Sequence, residues 1–168
     1  LDRSSAEKIA DEKGVKIWSG TLETKSELNR DVVTAFPVTE AVGKLEPGVY
    51  VMVARAAGAK PDDEDYGPRA TQWFVVSDLG LTAFKGKDGV HAFVRSLASA
   101  EPVPGVEIRL VARNNDVLAT KSTGADGHVA FDPGLARGEG GNAPGMIVAS
   151  TSEDYGFLDL GQGAFDLT

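Results

Sequence analysis

Short runs of β-branched and aromatic residues, separated by turn residues, fill the middle of the chain. Residues 71–77 read Thr-Gln-Trp-Phe-Val-Val-Ser, a composition typical of a buried strand. Residues 106–112 alternate between apolar and polar side chains, so one face of this predicted strand is apolar. The apolar set is Val106, Ile108, Leu110 and Ala112. This pattern predicts an antiparallel β-sandwich, because sandwiches are built from short strands joined by tight turns.

The same pattern of short apolar runs separated by turn residues predicts further strands on both sides of this stretch. In the second half they are residues 81–85, 90–97, 117–121, 128–131, 146–150 and 155–160. In the first half they are residues 15–24, 32–38 and 49–55, together with 71–77. A capping box at Ser4 and Glu7 predicts a helix over 5–13, and residues 39–42 predict a single helical turn. The second half therefore offers about seven strands, which is a complete sandwich, and the first half about four.

These counts predict two consecutive β domains, residues 1–78 and 79–168, that meet near Asp78 with almost no linker. The first domain is either a smaller sheet or a domain whose first strands lie upstream of residue 1. We expect the chain to be a piece of a longer protein, since it starts at Leu1 without methionine. Trp18 and Phe36 are predicted to join residues 49–55 and 71–77 in the core of the first domain.

Composition narrows the classes of function. The net charge of −8 and the lack of basic runs argue against nucleic acid, whose phosphates attract clustered lysine and arginine. The absence of cysteine excludes disulfides, cysteine-based metal sites and thiol catalysis. No apolar run approaches the roughly 18 residues of a membrane span, and no signal peptide is present.

Four groups of residues could carry chemistry, and each has an ordinary structural interpretation that we prefer. The acidic run Asp62-Asp63-Glu64-Asp65 lacks the ligand order of a calcium loop. The glycine-rich stretch 138–141 lacks the Lys-Ser/Thr of a phosphate cradle. His91 and His128 lie in strand patterns without a second ligand nearby in sequence, and Glu153-Asp154 is typical of a turn. We therefore predict no catalytic residue, no metal site and no cofactor.

Trp18 and Trp73 are the two tryptophans, and both are predicted to be core residues rather than ligand platforms. No serine lies in a Gly-x-Ser-x-Gly motif, and no Ser/His/Asp arrangement is readable from the sequence. The chain is therefore not expected to be an enzyme.

The order of these motifs resembles that of bacterial alpha-2-macroglobulins. The resemblance is strong from residue 71 onward and looser before it. The residues that carry it are 18–20, 47–51, 73–81, 96–97, 102–106, 112–115, 117–118, Thr123, 126–127, 131–135, 140–144, 154–160 and 165–167. It implies two consecutive macroglobulin-type β-sandwiches from the N-terminal half of a protease-trapping inhibitor.

The resemblance also implies a location and partners. Such proteins are periplasmic and often lipid-anchored to the inner membrane, here through an anchor outside this piece. The partners would be neighbouring macroglobulin domains and, through the full-length protein, target proteases. The thioester of many members cannot lie here, because the chain has no cysteine. The expected role is a scaffold. The alternatives are an extracytoplasmic binding or adhesion module and a glycosidase accessory domain, the latter needing a converging carboxylate pair.

Overall fold

The computed structural model describes residues 3–25, 27–57 and 69–161, and every pair of neighbouring strands in it is antiparallel. The predicted all-β class is confirmed. The chain divides into two compact units, Leu1–Val76 and Ser77–Thr168. The predicted domain boundary after Asp78 lies close to this division and stays a prediction.

The described part of the first unit contains two helices and one antiparallel pair of strands. Helix α1 spans Arg3–Lys13, so the predicted helix is present but Ser4 lies inside it rather than at its N-cap, and α2 is the short turn Val38–Val42. Strands β1 (Gly48–Arg55) and β2 (Arg69–Val76) pair along their whole length. Helix α1 lies against both strands. The predicted acidic loop between the strands, including residues 62–65, lies outside the described residues.

Two predicted strands of the first unit are wrong. Residues 15–24 and 32–38 belong to no sheet, and Val15 and Val33 are 87% and 92% exposed. A strand forms only where a neighbour accepts and donates its backbone hydrogen bonds, and no described strand lies beside these segments. The described part of the first unit therefore has two strands where about four were predicted.

The predicted core of the first unit is also wrong. The Trp18 and Phe36 rings do meet, with centroids 5.0 Å apart, but Trp18 remains 38% exposed. Trp73 is half-buried within β2, and no described residue before Ser77 is fully buried. The aromatic pair is therefore a surface contact, of a kind that contributes about 0.5–1.5 kcal/mol.

In its described residues, 77–161, the second unit is a β-sandwich of seven strands. They are β3 (Leu79–Gly86), β4 (Gly89–Ser96), β5 (Glu107–Ala112), β6 (Val117–Ser122), β7 (His128–Phe131), β8 (Pro144–Ser150) and β9 (Tyr155–Asp159). One sheet has the order β3-β4-β7 and the other the order β6-β5-β8-β9. Two short 3₁₀ turns, Pro133–Arg137 and Gly140–Asn142, occupy the segment between β7 and β8.

The core lies between the two sheets and follows the alternation predicted from the sequence. Val106, Ile108 and Leu110 have no exposed surface, whereas Glu107 between them is exposed. The opposite sheet contributes Val90, Val94 and Phe131, which are at most 1% exposed. Burial of a large apolar side chain stabilises a fold by about 1.5–3 kcal/mol, so this double layer carries most of the stability of the sandwich.

Thr123, buried directly after β6, fastens the corner that leads into β5. Its Oγ1 accepts a hydrogen bond from the Val106 N–H at 3.0 Å and donates one to the Val103 carbonyl at 2.8 Å. Only 6% of Thr123 is exposed, so both backbone groups would lack a partner without it. Together with the backbone bonds from the Gly105 N–H to the Thr123 carbonyl and from the Thr123 N–H to the Val106 carbonyl, this hydroxyl holds the corner.

Asp78 stabilises the start of the sandwich by hydrogen bonds to two turns. Its N–H donates to Oδ2 of Asp154 at 2.8 Å, which ties the start of β3 to the β8–β9 turn. Its Oδ1 accepts from the Ala98 N–H, and its carbonyl accepts from the Leu97 N–H, both at 2.8 Å. Asp78 therefore anchors the turn that follows β4 to the start of β3.

The bonds to Asp78 make the sandwich sensitive to acid. The Ser96 hydroxyl, and then the Ala98 N–H, lower the pKa of the Asp78 carboxyl because they bind its charged form. A group whose pKa is lower in the folded state stabilises the fold above its unfolded pKa, and that contribution is lost as pH falls through the folded value. We expect Asp78→Asn to lower Tm at neutral pH and to flatten the fall of Tm below about pH 4.

Thermal unfolding followed by circular dichroism from pH 7 to pH 2.5 measures this difference. The matched control is Asp31→Asn, an exposed carboxylate of the first unit, which should retain the wild-type pH profile. An Asp78→Asn profile parallel to that of the wild type would contradict the assignment.

Candidate functional site

Carbonyl groups of the glycine-rich stretch 138–141 accept hydrogen bonds from elsewhere in the fold. Its backbone is used internally: the Asn142 N–H donates to the Glu139 carbonyl, and the Asn114 N–H donates to the Gly141 carbonyl. The second bond joins the stretch to the β5–β6 turn, where Asn115 has a positive φ of 71°, a conformation that asparagine tolerates. The stretch lies between β7 and β8 and is tied to the rest of the sandwich, and the absence of a phosphate site there stays a prediction.

Glu153 and Asp154 lie in the β8–β9 turn. Oγ1 of Thr151 accepts hydrogen bonds from both backbone N–H groups, at 3.3 and 3.0 Å. The Asp154 carboxylate in turn accepts from the Asp78 N–H. This pair is a turn, as the sequence predicted.

The two histidines lie side by side on the outer face of the β3-β4-β7 sheet. In the register of β4 and β7, Phe93 is opposite His128 and His91 is opposite Ala130, so the two imidazoles are diagonal neighbours. Nδ1 of His91 and Nε2 of His128 are 3.1 Å apart. The prediction that both are strand-surface residues holds for their position. No second ligand lies near either histidine in sequence, yet the pairing of β4 with β7 brings the two rings together.

The contact between the rings is a hydrogen bond made edge to edge. The ring planes lie within 5° of parallel, while the centroids are 5.3 Å apart, well beyond the distance between the nitrogens. A hydrogen bond holds a single proton, so one of the two facing nitrogens donates and the other accepts. When both facing nitrogens carry protons, the contact is broken.

Two neighbours hold the imidazoles in this geometry. Oδ2 of Asp88, in the β3–β4 turn, lies 3.0 Å from Nε2 of His91, close enough for an ionic contact although off the hydrogen-bond direction. The carboxylate favours a proton on Nε2, which leaves Nδ1 of His91 as the acceptor. The Phe93 ring packs on His128 with centroids 4.5 Å apart and planes 24° apart.

The aromatic surface continues into a shallow groove on the same sheet face. Phe84 is 59% exposed and meets Phe93 edge to face, with centroids 6.0 Å apart. The groove encloses about 550 Å³ and ends at Arg95, whose Nη1 donates to the Ala100 carbonyl. Leu97 forms a wall and is 69% exposed.

The described residues contain no cluster of three or more histidines, cysteines or carboxylates arranged to hold a metal ion. Among the helices that the structure describes, none is long and apolar enough to cross a membrane. Sequence reasoning missed the histidine pair because the residues are 37 positions apart and meet only through the pairing of β4 with β7.

Comparison with known domain families decides the identity of the second unit. The family model described as the bacterial alpha-2-macroglobulin MG3 domain matches residues 76–168, more than half of the chain and the whole sandwich. The chain belongs to the bacterial alpha-2-macroglobulin family. The resemblance seen in the sequence motifs is thereby confirmed.

Curated alpha-2-macroglobulins share sequence with this member of the family. The protein of Pasteurella multocida strain Pm70 is 37% identical over 87 residues, which are 51% of this chain and 4% of the relative. That of Escherichia coli K12 is 24% identical over 151 residues, 90% of this chain and 8% of the relative. The chain therefore spans less than a tenth of the length of these relatives.

Solved structures agree with the fold. The crystal structure of native Escherichia coli alpha-2-macroglobulin spanning domains NIE-MG1 has a TM-score of 0.55 and 24% identity, covering 70% of this chain and 50% of that one. The native conformation of the Escherichia coli protein, determined by cryo-electron microscopy, has a TM-score of 0.56 and 22% identity, covering 90% and 9%. At these identities the likeness concerns the macroglobulin fold alone.

Proposed function

We propose that this alpha-2-macroglobulin segment is a scaffold of a protease-trapping inhibitor and is not itself an enzyme. The observation that carries the proposal is the match of the MG3 domain model to the complete sandwich of the second unit. A fully packed sandwich whose corners are closed by Thr123 and Asp78 suits a load-bearing role, because its buried core resists local opening.

The partners and location follow from the same proposal. Neighbouring macroglobulin domains of the longer chain would frame the trap, and target proteases would be bound by the full-length protein. We place that protein in the periplasm, with membrane attachment through a lipid anchor outside residues 1–168. Separation of periplasm and membranes, followed by detection with an antibody against this segment, tests the location.

The isolated segment is expected to leave trypsin fully active, because a trap needs a cleavable bait and an enclosing shell that lie elsewhere. The full-length protein is expected to suppress trypsin cleavage of a large protein substrate and to spare cleavage of a small peptide substrate. Enclosure excludes large substrates only, so the ratio of the two rates is the measurement. Inhibition of both rates by the 168-residue segment would contradict the proposal.

The binding or adhesion alternative has one observation in its favour, the aromatic groove beside Phe84. It requires the isolated segment to retain a ligand, and a Phe84→Ser variant to lose it. The scaffold proposal expects no ligand for the isolated segment, so an immobilised-segment assay against glycans and peptides separates the two.

A further inference from the structure

The geometry points to His91 and His128 as a two-nitrogen site for a divalent borderline metal ion such as Zn²⁺. This inference stands independently of the proposed function, because it concerns side chains of one sheet face. It departs from the expectation of no metal site, which rested on the lack of a second ligand nearby in sequence. The pairing of β4 with β7 supplies that second ligand.

The distance between the two nitrogens fits coordination. Zinc binds imidazole nitrogens at about 2.0–2.1 Å, and two such ligands at tetrahedral to right angles are about 2.9–3.4 Å apart. Nδ1 of His91 and Nε2 of His128 are 3.1 Å apart. An ion placed to one side of the line between them would meet both once each ring turns its nitrogen away from the hydrogen-bond direction and toward the ion, without any change in strand register.

Asp88 gives His91 the environment of a metal ligand. Histidine ligands commonly present their other ring nitrogen to a carboxylate, which fixes the tautomer and makes the ligating nitrogen more basic. Oδ2 of Asp88 lies 3.0 Å from Nε2 of His91, on the far side of the ring from His128. With the His91 proton on Nε2, Nδ1 keeps the lone pair that accepts the hydrogen bond from His128 and that would bind the ion.

The proton balance allows metal uptake by the neutral pair. With the His91 proton on Nε2, Nε2 of His128 donates the shared hydrogen bond. An incoming ion requires His128 to move that proton to its own Nδ1, and no proton has to leave the pair. Water would occupy the remaining positions, since the described residues offer no third clustered ligand.

The surroundings restrain the rings and add one further charge. Phe93 holds His128 from one face, which limits the ways in which the imidazole can turn away. Lys121 donates to the carbonyl of Ala130, the cross-strand neighbour of His91, and its ammonium lies 4.0 Å from Asp132. The positive charge of Lys121 is therefore offset by the carboxylate of Asp132.

The test is calorimetric titration of the untagged 168-residue chain with Zn²⁺ at neutral pH. The chain has two histidines and no cysteine, so each histidine variant removes half of the imidazole ligands. We expect one Zn²⁺ per chain for the wild type. We expect loss of at least tenfold in affinity for His91→Gln and for His128→Gln, and a loss of about 10–100-fold for Asp88→Asn.

A control variant separates this site from the acidic loop. Replacement of Asp62, Asp63 and Asp65 by asparagine should leave the Zn²⁺ affinity unchanged. Thermal unfolding checks that every variant is folded, and ¹⁵N shifts of the imidazoles show whether Nδ1 of His91 and Nε2 of His128 receive the ion. Three results would each overturn the inference: folded wild type that takes up no Zn²⁺, a histidine variant that binds Zn²⁺ as tightly as the wild type, or imidazole shifts that Zn²⁺ leaves unchanged.

Discussion

Replacement of Phe131 by alanine is expected to lower the free energy of unfolding of the sandwich by about 3–5 kcal/mol. Phe131 ends β7, is 1% exposed and is among the largest fully buried side chains. It pairs with Val90 in the register of β4 and packs in the layer that faces Ile108. Truncation would leave a cavity that surrounding strands cannot close without breaking that register.

Phe84→Ala is the matched control, because it makes the same chemical change on the outer face of the same sheet. Phe84 is 59% exposed and contacts Phe93, so its loss should cost about 1 kcal/mol. Urea unfolding must be followed by far-ultraviolet circular dichroism. Both tryptophans, Trp18 and Trp73, lie in the first unit, so their fluorescence would report on that unit. Equal losses in the two variants would refute the placement of the core.

The success of prediction for the second unit has a physical reason. Apolar and polar residues alternate along β5, and the turn at Asn115 follows directly after the strand. The buried face and the turn can therefore both be recognised in one short stretch of sequence. All strands needed to bury that face lie within residues 79–159, so local pattern and tertiary partner agree. Where the local pattern and the partner strands lie in the same stretch of chain, the sequence is sufficient to predict the strand.

The same reasoning failed in the first unit because the local strand pattern was present there but a neighbouring strand to pair with was not. Residues 15–24 carry strand-forming side chains, yet they belong to no sheet of the described structure. β-propensity measures how a side chain fits a pleated, half-buried surface, and it has little effect where no neighbouring strand forms that surface. Trp18 was placed in a core on the same ground and lies 38% exposed.

The contact between the two histidines could not be predicted from the sequence for a different reason. Each imidazole was located correctly on a strand, but their meeting depends on which strands are neighbours and in what register. A shift of β7 by one residue would turn His128 to the other face of the sheet. Short strands of similar composition do not encode their pairing in any local signal.

Gly89 governs that register, and Gly89→Ala is expected to destabilise the sandwich by about 3 kcal/mol or more. Gly89 opens β4 with a φ of 127°, a backbone conformation that residues with a side chain rarely adopt. A Cβ at this position would collide with the carbonyl oxygen of Phe131. The first pair of the β4–β7 ladder, Val90 with Phe131, would have to separate.

Gly105→Ala separates the effect of the collision from that of backbone strain. Gly105 also has a positive φ, of 73°, but nothing lies within 4 Å of the position that a Cβ would occupy. Its replacement should therefore cost only the strain of a left-handed residue, about 1–2 kcal/mol. Because His91 and His128 meet across the same ladder, Gly89→Ala should also weaken their contact, which the imidazole ¹⁵N shifts would report. Equal destabilisation by the two variants would mean that strain alone acts at Gly89 and that β7 does not fix the start of β4.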